Sequence, residues 1–206
     1  MTQAHFNGLA HDYAAFRPSY PISIYEPALR RLADRKHLNV LDAGCGTGIN
    51  TRVLDDLLRP GRELDLVGVD ISEDMLREAS QLVAHARFLL GGAENVNLPA
   101  ASHDLIVAAQ AVQWFDRPAF YREALRLLNE GGLLALLENN RDWRSSAFLD
   151  EYESFLESHS IKDDGSHYSR FYRDHPYRTE LGELFAEVEE HHERWSRRMT
   201  VSEFIG

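Results

Sequence analysis

Residues 40–48 read Val-Leu-Asp-Ala-Gly-Cys-Gly-Thr-Gly. An apolar run ends in an acid, turns through three alternating glycines, and opens toward a helical segment at Ile49. Glycine has no Cβ to hold a ligand away, so the backbone N–H groups of such a bend and the helix N-terminus behind it can approach a bound group closely. The spacing Gly44, Gly46, Gly48 is G-x-G-x-G. A dinucleotide-binding bend needs a glycine at position 49 instead, and Ile49 stands there. The departure argues against a nicotinamide cofactor and toward S-adenosylmethionine. A second acid, Asp70, closes the apolar run Leu64–Asp70, 26 residues after Gly44. A carboxylate there can accept hydrogen bonds from two adjacent ribose hydroxyls.

Five segments in order resemble the class I S-adenosylmethionine-dependent methyltransferases, in the group of small-molecule enzymes that includes the trans-aconitate methyltransferases. They are residues 40–48, Val-Gly-Val-Asp-Ile-Ser (67–72), Gly-Ala-Glu-Asn-Val-Asn-Leu-Pro (92–99), the 103–116 segment ending Gln-Ala-Val-Gln-Trp-Phe-Asp, and Leu-Leu-Asn-Glu-Gly-Gly-Leu-Leu-Ala-Leu (127–136). The leader Phe16-Arg17-Pro18-Ser19-Tyr20-Pro21 is similar to that group as well. The resemblance implies roles. Gly44 and Gly46 pass beneath the methionine and ribose portions, and Asp42 orients the amino end. Asp70 holds the ribose and Ile71 packs on the adenine. Ala93 and Glu94 lie at the adenine edge, and Gln110 touches the methionine portion. Gln113 and Trp114 follow closely enough to wall the transfer site. In similar enzymes the leader closes over the cofactor, which selects Tyr13 and Arg17 among His5, His11, Tyr13, Arg17 and Tyr20. Cys45 reads as a small residue that fits the bend.

The expected fold is α/β: a Rossmann-like, doubly wound, mainly parallel sheet with helices on both faces. Short apolar runs alternate with helical periodicity, the pattern of βα units. Strands are expected at about 39–43, 64–70, 86–90, 104–109 and 133–138. Helices are expected from Pro21 to about Lys36, after Ile49, after the Ser72 cap, over 118–128, over 145–158 and over 178–185. An amphipathic strand is expected near Val188–Trp195. The whole chain, 1–206, reads as one domain with a lid at about 1–20 and a specificity insertion at about 139–178. Thr200-Val201-Ser202-Glu203 matches a capping box with three residues after it. That mismatch predicts a truncated chain whose final antiparallel strand is missing, leaving an open sheet edge.

Composition narrows the partners. A formal net charge of -11 repels nucleic acid at long range and leaves a small-molecule substrate as the expected partner. No apolar run approaches the ~18 residues of a membrane span, and no basic-then-apolar leader is visible. With one cysteine, these features make a cytoplasmic setting the expectation. Oligomeric state is not set by these features. Ten histidines raise the question of metal, but no H-E-x-x-H or C-x-x-C spacing occurs. His191 and His192 are adjacent, so on a strand they face opposite sides. No metal is expected.

No general base is identifiable, although His159, His167, Tyr168 and His175 sit in the insertion. An ionised carboxylate needs no deprotonation before it attacks a methyl group. The expected activity is therefore methyl transfer to a small molecule at oxygen, a carboxylate above all. The alternatives are a non-catalytic S-adenosylmethionine-binding protein or inactive fragment, and, further off, an NAD-dependent oxidoreductase.

Overall fold

The computed structural model describes residues 20–161, 165–172, 174–198 and 200. They divide between two compact units, one drawn from Met1–Leu137 and His191–Gly206, the other Glu138–Glu190.

The first unit is built on five parallel strands: β1 (His37–Ala43), β2 (Glu63–Asp70), β3 (Arg87–Leu90), β4 (His103–Ala109) and β5 (Leu128–Leu137). Their spatial order is β3-β2-β1-β4-β5. The chain thus winds outward from β1 in one direction, then returns and winds outward from β4 in the other. A doubly wound sheet binds ligands at this reversal, beyond the carboxyl ends of the two central strands. In β1 the register runs from His37 opposite Glu63 to Ala43 opposite Val69, so the two strands end together. That places the glycine bend after β1 beside Asp70.

The central strands are apolar on both faces, as parallel strands covered by helices must be. Val40, Leu66, Leu105 and Val107 pack in one cluster with Tyr25, Leu32, Leu54 and Leu58. Leu41, Val67 and Ile106, at alternate positions, are equally buried. Burying one such side chain contributes about 1.5–3 kcal/mol.

A 3-10 turn, Ile22–Tyr25, precedes α1 (Glu26–Arg31). This pair replaces the longer helix expected over 21–36, and Pro27 explains the division. It lacks an N–H, so it fits in the first helical turn and marks where a new helix starts. Helix α2 (Ile49–Leu58) begins at Gly48, whose φ of 84° serves as the cap position. Helix α3 (Glu73–Leu82) is capped by Ser72, which accepts from the Met75 N–H, with Glu73 and Asp74 against the positive end of the helix dipole. Helix α4 (Arg117–Leu127) is capped in the same way by Asp116.

Strand β5 starts five residues earlier than the sequence pattern places it. Gly131 and Gly132 read as a break, but the strand continues across them with a register shift opposite His103 and Leu105. Gly131 has φ 71°, the left-handed backbone that a bulge uses. Among the described residues β5 is a sheet edge. The strand expected at Val188–Trp195 is not formed. Only the two ends of that segment are apolar, and a segment polar throughout its middle gains little by joining a sheet.

The second unit contains a 3-10 turn (Trp143–Ser145), α5 (Ala147–His159) and α6 (Tyr177–Gly182). Two arginines organise it. Arg170 bonds Asp150, Ser154 and Glu157 and lies over the Trp143 ring at 4.7 Å. Arg141 pairs with Glu153, which is 2% exposed and also accepts from the Tyr168 hydroxyl at 2.9 Å.

Candidate cofactor-binding site

The bend is fixed by hydrogen bonds from three sides. The N–H groups of Gly44 and Cys45 donate to the Val69 carbonyl at 2.8 and 3.0 Å. The Gly46 N–H donates to Asp70 Oδ2 at 2.9 Å, and the Ser72 N–H donates to Asp70 Oδ1 at 2.9 Å. Each Asp70 oxygen thus holds one backbone donor and keeps further acceptor capacity, since an ionised carboxylate offers about four lone-pair sites. Burial raises the Asp70 pKa, and the backbone donors at Ser72, Gly46 and Ile71 oppose that rise. One acid therefore sets the bend after β1 and the start of α3 together.

Two of the glycines are required for different reasons. Gly44 has φ 68°, and a Cβ built there would lie 2.7 Å from the Ala111 Cβ and 2.9 Å from Phe115 Cζ. The segment after β4 packs onto it, so Gly44 is fixed by the protein's own packing. Gly46 has φ 53°, and a Cβ there would meet nothing within 4 Å. Its open side is where a bound group could lie against the backbone.

Asp42 sits beneath the bend, fully buried. It accepts from Asn50 Nδ2 at 2.7 Å and from Thr51 Oγ1 at 2.6 Å, while the Tyr25 hydroxyl donates to Asn50 Oδ1 at 2.5 Å. Burial pushes the Asp42 pKa up to about 6 against the opposing hydrogen bonds from Thr51 and Asn50. Cys45 is 6% exposed, and burial raises its thiol pKa well above the ordinary range, the reverse of what a nucleophile needs.

The other sequence candidates end neighbouring strands. Ile71 follows Asp70 directly and is 40% exposed, an apolar side chain left open at the carboxyl edge. Ala93 is buried, and Glu94 Oε1 accepts from the Asp116 N–H at 3.0 Å, joining the loop after β3 to the cap of α4. Gln110 directly follows β4 with φ 54°, a left-handed backbone that non-glycine residues rarely adopt. Its N–H donates to the Leu137 carbonyl, and its own carbonyl accepts from Gln113 Nε2 at 3.0 Å. Trp114 is 43% exposed beside it in sequence. Tyr13 and Arg17 lie outside the described residues.

The sequence reading missed Asn50, Thr51 and Phe115. The first two left a signal: they are polar residues in the first turn of an otherwise apolar helix face. The Phe115 contact with Gly44 spans 71 positions and left none.

Among the described residues of the first unit, buried side-chain polar atoms without a hydrogen-bond partner are Thr47 Oγ1, Gln110 Nε2 and Gln113 Oε1. Thr47 lies in the bend and the two glutamines follow β4. All three thus fall just past the carboxyl ends of strands. Each such atom costs about 1–3 kcal/mol of desolvation unless something pairs with it.

Residues 41–136 match the family model of a methyltransferase domain. An uncharacterized methyltransferase of Mycobacterium tuberculosis is 36% identical over 140 residues, covering 68% of this chain and 54% of that protein. A malonyl-[acyl-carrier protein] O-methyltransferase of Serratia marcescens is 36% identical over 96 residues, covering 46% of this chain and 36% of that protein. A crystal structure from Methanococcus maripaludis, assigned as an S-adenosyl-L-methionine-dependent methyltransferase, is similar with a TM-score of 0.60 at 20% identity. It covers 91% of this chain and 86% of its own, a likeness of fold. The chain spans about half the length of the first curated relatives it matches.

Proposed function

We propose that this chain, which belongs to the class I S-adenosylmethionine-dependent methyltransferases through its methyltransferase domain at 41–136, transfers a methyl group to an oxygen of a small-molecule acceptor, a carboxylate above all. The observation that carries the reading is the Asp70 carboxylate, held against the Gly46 N–H at the end of β2.

The residues fit the cofactor. Asp70 has acceptor capacity for the two ribose hydroxyls. The open side of Gly46 admits a group that a Cβ would exclude. Ile71 offers an exposed apolar face for the adenine, with the Ala93 backbone and Glu94 at its edge. Gln110 and the bend at Gly44 face the methionine portion, with Asp42 beneath fixing the bend's stem. Tyr13 and Arg17 belong to the proposed lid. When bound, S-adenosylmethionine supplies a methyl group made electrophilic by its sulfonium. The chain's work is then to hold the cofactor and acceptor in line and to exclude water, a contribution of proximity and orientation.

Support for a carboxylate acceptor comes from the histidines at the sheet strands themselves. His37 and His103 open β1 and β4, and His85 precedes β3. All three lie at the amino edge of the sheet, opposite the bend. An acceptor ionised at neutral pH needs no base. The Serratia relative, named as an O-methyltransferase, agrees with an oxygen acceptor. No helix among the described residues is long and apolar enough to cross a membrane, and the single cysteine supports a cytoplasmic setting.

The test is turnover. Labelled S-adenosylmethionine is incubated with the protein and small acids, phenols and amines. Methyl esters should form from acids. Binding of S-adenosylhomocysteine without transfer to any acceptor would convert the reading to a cofactor-binding protein.

A further inference from the structure

Tyr25 stands apart from the bend, in the 3-10 turn before α1, yet its hydroxyl begins a directed chain that ends on Asp42. The phenol donates to Asn50 Oδ1 at 2.5 Å, and Asn50 Nδ2 donates to Asp42 Oδ1 at 2.7 Å. All three side chains are buried. A carboxamide has one donor end and one acceptor end, so whichever end meets Asp42 selects the charge state there. The NH2 end favours the carboxylate, through a charge-assisted bond. The oxygen end would favour the protonated acid. Thr51, which donates to Asp42 Oδ2, makes no such selection, because a hydroxyl can donate to one form and accept from the other.

Tyr25 decides which end that is. Burial and the Asp42 charge raise the pKa of the phenol, so it keeps its proton and stays a donor. Were Asn50 turned over, its NH2 would face the phenol oxygen and the buried phenol proton would lose the acceptor it has here, a costly exchange. We propose that Tyr25 is a positioning residue for the cofactor: through Asn50 it holds Asp42 as the carboxylate, whose buried charge beneath the bend attracts the ammonium group of the cofactor's methionine portion. Gly44 is two residues from Asp42, within about 7 Å along the chain, so the charge acts across little protein. Other titratable groups face Asp42. Asp70 on β2 opposes its ionisation, and Cys45 in the bend is held protonated by burial. On β4 the residue opposite Asp42 is Val107, which carries no charge. The inference rests on the cofactor site proposed above and adds a residue that acts on it through two others.

The test is the pH profile of S-adenosylhomocysteine binding, followed by calorimetry from pH 8 to pH 5. Burial raises the Asp42 pKa to about 6, so its charge changes within that range. Wild-type affinity should fall by about fivefold or more as the carboxylate is neutralised. Tyr25→Phe keeps the ring, removes the donor and frees the Asn50 amide to turn. Its affinity should come within about twofold of wild type at pH 8, and its midpoint of loss should lie higher by about 0.5 to 1 in pH, the scale of one hydrogen bond. Asp42→Asn should bind weakly without a midpoint near pH 6, and adding Tyr25→Phe to it should change nothing further. A loss in Tyr25→Phe that is the same at every pH would reduce the residue to packing and overturn the inference. So would an unmoved midpoint, or one that survives in Asp42→Asn and therefore belongs to Asp70. Absence of binding to the wild-type protein at every pH would remove the cofactor site itself.

Discussion

The Gly46 N–H and the Asp70 carboxylate meet at 2.9 Å, joining the bend after β1 to the end of β2 across 24 positions. The contact shapes the bend, and under the proposed function the same carboxylate also presents acceptors to a ribose. Asp70→Ala should remove both, weakening S-adenosylhomocysteine binding by about 1.5–3 kcal/mol, the range for hydrogen bonds to a charged group. Titration calorimetry measures this directly. An unchanged dissociation constant would refute the ribose assignment.

Gly44 and Gly46 should respond differently to the same substitution. Both have left-handed backbones, so alanine strains either by about 1–2 kcal/mol. At Gly44 the new methyl also meets Ala111 and Phe115, adding overpacking of about 1–3 kcal/mol. Gly44→Ala should therefore be the less stable protein in urea denaturation. Gly46→Ala should fold, with a smaller loss, and lose cofactor affinity by about tenfold or more because its methyl enters the side proposed for the ligand. Comparable urea midpoints together with wild-type affinity in Gly46→Ala would contradict this division of roles.

That division shows where sequence reading stops. The strands were legible because each is an apolar run bounded by glycine or a polar turn, and the bend because its glycines alternate. The reason for Gly44 was hidden, since Phe115 is remote in sequence. The Gly131-Gly132 pair misled because a bulge and a strand break look alike without the partner strand. For Asp42 the sequence implies a role in orienting the amino end of the cofactor and gives no sign of its own partners. The structure surrounds its carboxylate with Asn50 and Thr51, a pairing that depends on how α2 settles on β1.

In the second unit, Glu153 is buried yet serves both Arg141 and Tyr168. Glu153→Ala should loosen α5, because the tertiary bonds to Arg141 and Tyr168 are lost together. The Arg141 side chain is 44% exposed, so its stranded charge is partly hydrated and the loss stays near about 1–3 kcal/mol, below that of a fully buried pair. Tyr168→Phe removes the bond donated to Glu153 and the longer one accepted from Arg141 at 3.3 Å, and should cost about 1 kcal/mol. Amide exchange across Ala147–His159 should rise from wild type through Tyr168→Phe to Glu153→Ala, and equal protection in all three proteins would show that the network contributes nothing.

The Asp42 carboxyl makes stability depend on pH in a direction opposite to that of a salt-bridged acid. Burial raises its pKa from an ordinary 3.8 to about 6, so the folded protein holds this proton more tightly than the unfolded chain. Below about pH 4 both states are protonated and the group is neutral in the balance. Between about pH 4 and pH 6 the unfolded chain gives up the proton first, and folding is penalised progressively. Above the folded value the penalty is complete, on the order of 3 kcal/mol for two pKa units. Asp42→Asn keeps the shape and an acceptor for Asn50 while removing the titration. Its stability relative to wild type should therefore climb between pH 4 and pH 6 and level off by pH 7. Urea midpoints at four pH values measure the difference, and any constant offset from the altered Thr51 contact cancels in the slope. Parallel pH curves for the two proteins would mean that Asp42 ionises normally and that the polar pair from α2 offsets its burial in full.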